Sequence, residues 1–179
     1  MVDQEADVSQ SCPCPIRQRS LAETLEREQL AGEIGQLLIG SLSGSTIPAE
    51  ARSIAREFQL GGITLFSRNI EAPEQVAELS HDIQVLATAG GTDSVPLWVA
   101  VDQEGGRVAR LKKPFTEWPP MAALGRSGDE SLASRFAAAL AAELRAVGVT
   151  LDYAPVLDIH TNPKNPRSEE HTSELQSPY

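Results

Sequence analysis

The densest chemistry in the chain lies in VAVDQEGGRVARL, Val99–Leu111. An apolar run brings Asp102 to the point where a buried strand would end, and Gly105-Gly106 lets the backbone turn sharply without a Cβ clash. Arg107 and Arg110 follow within reach of the same carboxylate. A carboxylate so placed can accept hydrogen bonds from two neighbouring sugar hydroxyls. A guanidinium can offer its donor fork to the same ligand or hold the carboxylate in place. The plainer alternative is a strand-end ion pair that stabilises the turn. The pattern alone leaves both open.

Other candidates are weaker. Glu104 sits where a general acid would be tempting, but it reads as structural. Asp158 ends the apolar segment VTLDYAPVLDI and is expected to order the loop after it rather than touch a ligand. His160 reads as a loop histidine and His81 as helix packing. Trp98 and Trp118 have faces on which a sugar can stack, although packing is the better reading of both. Cys12 and Cys14 flank a proline in a polar stretch and are two ligands short of a structural zinc site.

The elements that must position these residues alternate along the chain. Residues 1–19 read as a disordered leader, and Ser20-Leu21-Ala22-Glu23 is a capping box opening a helix through about Leu30. IGQLLIG, Ile34–Gly40, suits a buried strand. Pro48 opens a helix with Ile54 and Phe58 on one face, closed by Gly61-Gly62. GGITLF is the next strand, and Pro73 opens a helix whose stripe is Val76, Leu79, Ile83 and Leu86. PLWVAVD is a third strand, followed by a Pro-rich loop. Asp129 or Ser131 then caps a helix striped by Leu132, Phe136, Leu140, Leu144 and Val147, with Gly148 as its stop. Val149–Ile159 is the fourth strand-like segment.

Unalternated apolar strands separated by helices mean parallel β/α architecture. An open doubly wound sheet and a TIM-type (β/α)8 barrel compete. No G-x-G-x-x-G follows the first strands, and polar clusters sit just past strand ends, where barrel enzymes keep their sites. The expectation is an α/β fold, the N-terminal half or so of such a barrel.

Composition narrows the partners. A net charge of −10 argues against nucleic acid, whose affinity comes largely from clustered Lys and Arg. No apolar run approaches the ~18 residues of a membrane span. The acidic first residues do not read as a signal peptide, so a reducing, cytoplasmic setting is expected.

VDQEGGRVARL, preceded by GGITLFSRNI and followed by LDYAPVLDIHTNPKNP, resembles glycoside hydrolase family 3. The likeness covers about residues 30–166 and is greatest to the bacterial β-N-acetylhexosaminidase branch used in cell-wall recycling. It implies retaining, exo-acting hydrolysis of terminal β-linked N-acetylglucosamine, with a carbohydrate substrate and no cofactor or metal. Position by position, it makes Asp102 the aspartate that binds sugar hydroxyls at the pocket floor, and Arg110 the arginine that lines the same site. The aspartate nucleophile, the histidine acid/base and a Lys-His pair are implied beyond residue 166, so no catalytic residue is assigned. Rival readings are a β-glucosidase or β-xylosidase of the same family, and a non-catalytic sugar-binding module. Residues 167–179 depart from the family: RSEEHTSELQS is the translation of a widely used sequencing adapter, and the tail, His171 and Glu174 included, is expected to be foreign to the fold.

Overall fold

The computed structural model describes residues 21–88 and 95–156. The expected leader, Cys12, Cys14, Ser20 of the capping box, Asp158, His160 and the tail lie outside these residues.

Four strands form one parallel sheet: β1 (Ile39–Ser41), β2 (Gly62–Leu65), β3 (Trp98–Val101) and β4 (Leu151–Asp152). Their spatial order is β1-β2-β3-β4, with every neighbouring pair parallel. A doubly wound sheet reverses its strand order at a switch point, whereas a barrel adds each strand beside the last. Sequential order without reversal is therefore the arc of a barrel. The fold is α/β, about half of a (β/α)8 barrel. Helix α1 (Leu21–Gly35) precedes β1, and helices α2 (Ala49–Phe58) and α3 (Pro73–Thr88) join the first three strands. The last crossover holds α4 (Met121–Ser127) and α5 (Glu130–Ala146). Among the described residues, no helix is long and apolar enough to cross a membrane.

The core lies between the outer face of the sheet and the helices. Ile63, Leu65, Val99 and Val101 form one cluster with Val76, Leu79, Ile83 and Leu86 of α3 and with Leu140 and Leu144 of α5. Strand side chains alternate between faces, so Thr64 and Ala100, paired in register, lie on the opposite, inner face. Asp129 caps α5 as expected, its carboxylate accepting the main-chain N–H groups of Ser131 and Leu132.

Several expectations need correction. Ile34–Leu38 is helix end and turn, and the strand begins only at Ile39. That strand is not buried: Ile39 is 40% exposed and Ser41 is exposed, because β1 pairs on one side only among the described residues. Ile54 and Phe58 face outward as well, and Ala55 is the buried residue of α2. Gln59, at φ +50°, closes α2 in place of the glycines. Gly61 instead allows a close approach, since a Cβ there would lie 2.0 Å from the Gln36 carbonyl oxygen. His81 is exposed rather than packed. The Pro-rich loop contains the short helix α4.

Candidate functional site

Asp102 follows the last residue of β3 and by strand alternation belongs to the inner face with Ala100. Arg110 returns to it: Nη2 lies 2.5 Å from Asp102 Oδ2, with both side chains roughly a quarter exposed at the open end of the strand. The structure thus joins the two residues that the sequence singles out. Arg107 is exposed at the turn. Glu104 is buried.

The turn between Asp102 and Arg110 has its own scaffold. Gly105 at φ +96° and Gly106 at φ +59° take left-handed conformations that side chains disfavour. A Cβ on Gly105 would come 2.3 Å from the Pro119 carbonyl oxygen. Glu104 N and Gly105 N both donate to Val108 O, and Gly106 N donates to Trp118 O at 2.8 Å. Trp118 is held from behind. Glu143 of α5 accepts its indole N–H at 3.4 Å and the Thr116 N–H at 2.8 Å, and Phe136 meets its ring edge-on at 5.0 Å. The tryptophan is therefore part of the packing that supports the turn. Trp98, 52% exposed at the start of β3, stands at the opposite end of the strand from Asp102.

Three residues that the sequence reading passed over complete the site. Gln103 is 1% exposed, and its Oε1 accepts the main-chain N–H groups of Arg110 at 2.7 Å and Leu111 at 3.0 Å. Its Nε2 donates to Leu111 O at 3.0 Å. One side chain thus satisfies three buried backbone groups and fixes where Arg110 leaves the loop. Asp152, opposite Val101 in β4, accepts Gln103 N at 3.0 Å on Oδ1. Burial pushes the Asp152 carboxyl up to about 6, the Gln103 N–H opposes that shift, and the charge of Asp102 adds to it. Tyr153, the residue after β4, reaches across the inner face, its hydroxyl 3.2 Å from Thr64 Oγ1 of β2. A lone polar residue at a strand end carries little signal in sequence. The roles of Asp152 and Tyr153 depend on strand register, which brings Asp152 to Gln103, 49 positions away, and Tyr153 to Thr64, 89 positions away.

The polar end of the arc therefore presents an ion-paired carboxylate and guanidinium. Such a cluster suits a polyhydroxylated ligand, which supplies both donors and acceptors. Among the described residues, no three His, Cys, Asp or Glu side chains converge on a metal site. A separate apolar groove of about 480 Å³ between α4 and α5, lined by Trp118, Met121, Leu124, Leu132 and Phe136, shares no residue with this cluster.

Comparison with known families decides the lineage. The Glycosyl hydrolase family 3 N terminal domain matches residues 29–177. The chain belongs to glycosyl hydrolase family 3. A beta-hexosaminidase of Nitrosomonas eutropha is 40% identical over 132 residues, which make up 70% of this chain and 36% of that protein. A beta-hexosaminidase of Pseudomonas aeruginosa is also 40% identical, again over 36% of its length. Among solved structures, a family 3 beta-N-acetylglucosaminidase from Paenibacillus sp. superposes with a TM-score of 0.74 at 42% identity. That match covers 82% of this chain and 28% of the other. Beta-N-acetylhexosaminidase from Beutenbergia cavernae gives 0.69 at 27% identity, over 80% and 44% of the two chains. The family 3 chain described here thus spans little more than a third of the curated relatives it matches.

Proposed function

We propose that this chain is the N-terminal part of a retaining exo-β-N-acetylglucosaminidase that removes terminal β-linked N-acetylglucosamine from cell-wall fragments. The observation that carries the reading is the Asp102–Arg110 pair, held at the open end of β3 in a family 3 barrel arc. In this reading Asp102 accepts hydrogen bonds from sugar hydroxyls, and Arg110 both orients Asp102 and donates to the same sugar. The likeness to beta-hexosaminidases and to a beta-N-acetylglucosaminidase supports that sugar over glucose or xylose. The nucleophile and the acid/base that retention requires are contributed from beyond residue 166. Asp158 orders the loop after β4, residues 167–179 are foreign to the barrel, and the enzyme works in the cytoplasm.

The test is hydrolysis of a chromogenic N-acetyl-β-glucosaminide by the full-length protein, with the anomer first released identified by NMR. The expected result is turnover with retention, and a fall in kcat/KM of about 10²-fold or more in Asp102→Ala, since charge-assisted hydrogen bonds contribute ~1.5–3 kcal/mol each. Preference for a glucoside or xyloside favours the rival specificity. Sugar binding without turnover favours a binding module. Long-read sequencing across the codon for Pro166 tests the tail: an open frame running on into an apolar loop and an arginine is expected, and an encoded RSEEHTSELQSPY at that place in the gene overturns it.

A further inference from the structure

Asp152 lies one strand away from Asp102, at the register position opposite Val101. Its Oδ1 accepts the main-chain N–H of Gln103 at 3.0 Å. That N–H belongs to the planar peptide joining Asp102 to Gln103, so its orientation constrains the backbone from which the Asp102 side chain departs. The Gln103 side chain meanwhile holds the main chain at Arg110 and Leu111. Gln103 is thus pinned at its backbone by β4 and at its amide by the returning loop. The two members of the ion pair, eight positions apart, are referred to one fixed residue between them.

We propose that Asp152 is a positioning residue for the Asp102–Arg110 pair, acting through the Gln103 peptide and not by touching the sugar. The proposal rests on the sugar-binding reading of that pair. A second carboxyl held near Asp102 is electrostatically unfavourable. The useful property of Asp152 is accordingly its acceptor oxygen, not its charge, and an amide that keeps the oxygen in place does the same work.

Steady-state kinetics of the full-length protein on a chromogenic N-acetyl-β-glucosaminide separate the outcomes. Asp152→Ala is expected to raise KM about tenfold or more with kcat nearly unchanged, because a displaced pair weakens ground-state and transition-state binding alike. Asp152→Asn keeps the acceptor and is expected to match the unaltered protein. Asp152→Glu moves the acceptor by one methylene, should raise KM, and serves in place of Asp152→Ala if the alanine variant does not fold. A loss confined to kcat at unchanged KM reports fewer folded molecules and overturns the proposal. So does an Asn variant whose KM rises as far as that of Glu. An active unaltered protein matched by all of its Asp152 variants sinks this proposal alone. An unaltered protein that neither turns over nor binds the sugar sinks the functional reading, and the proposal with it.

Discussion

Gln103 and Asp152 carry the electrostatic organisation of the site, and each leads to a measurable effect. Replacing Gln103 by Met keeps much of the volume but leaves two N–H groups and one carbonyl of the Arg110–Leu111 segment without their partners. Buried groups stripped of hydrogen bonds each cost ~1–3 kcal/mol, so with three groups affected Gln103→Met is expected to lower unfolding stability by about 3 kcal/mol or more in urea titration. Asp152 acts through pH. Its carboxyl titrates near 6 in the fold against 3.8 in the unfolded chain, so the folded state binds the extra proton between those values. Stability from this group is therefore greatest below the unfolded pKa and falls as pH rises to about 6. The two-unit shift corresponds to ~3 kcal/mol at full weight, which solvent screening of a half-buried group reduces to on the order of 1 kcal/mol. Asp152→Asn should accordingly be more stable than the unaltered protein at pH 7.5 and equal to it near pH 4. Equal stability of the two at pH 7.5 would count against the electrostatic account. Asp102 and Arg110 were legible because they stand in one short string, where spacing alone puts them within reach. Gln103 stands in the same string, but a neutral amide beside two acids gives no sign in sequence that its side chain will be buried; Asp152 and Glu143 were not legible because hydrogen bonds across 49 and about 25 positions give them their roles.

At the scale of elements, legibility follows burial. The stripe of α3 and the strands β2 and β3 were read correctly because each is packed against neighbours, so apolar residues appear wherever a face is covered. α1, β1 and α2 were read less well. Their apolar residues Leu30, Ile34, Ile39, Ile54 and Phe58 face away from the described core, and pattern cannot say which neighbour will cover them. The Gly105-Gly106 turn is the element whose geometry most directly sets the distance between Asp102 and Arg110. Gly105→Ala would force a left-handed backbone on alanine and drive its Cβ into the Pro119 carbonyl, with Trp118 behind that loop locked by Glu143 and Phe136. We expect it to cost roughly 2 kcal/mol or more by thermal or urea unfolding, the range for strain at special backbone positions. Ala109→Gly, in the same loop but outside the left-handed pair, provides the comparison; if the two variants are equally stable, the turn is not strained in this way.

For the whole molecule, the decisive fact is that an arc of barrel is not a closed surface. Among the described residues, β1 and β4 each pair on one side, which leaves open strand edges that template association with other chains. Beside the β1 edge lie Leu37, Leu38 and Ile39, exposed by 83%, 53% and 40%, an apolar face that closure of the ring would cover. The charge of −10 opposes association but is spread along the chain and does not shield one edge. The 179-residue chain produced on its own is therefore expected to self-associate and to melt without a sharp transition, in sedimentation and in thermal scans by circular dichroism. Extending the chain through the remaining strands should yield a monodisperse, cooperatively unfolding species, because strand pairing then removes both edges together. On the proposed function, activity should appear with closure and not before, since covalent catalysis with retention needs a nucleophile and an acid/base facing the sugar that Asp102 is proposed to hold. A monodisperse 179-residue chain with a steep melt would mean that the arc is stable without the ring, and its turnover of an N-acetylglucosaminide would place the chemistry inside residues 1–179.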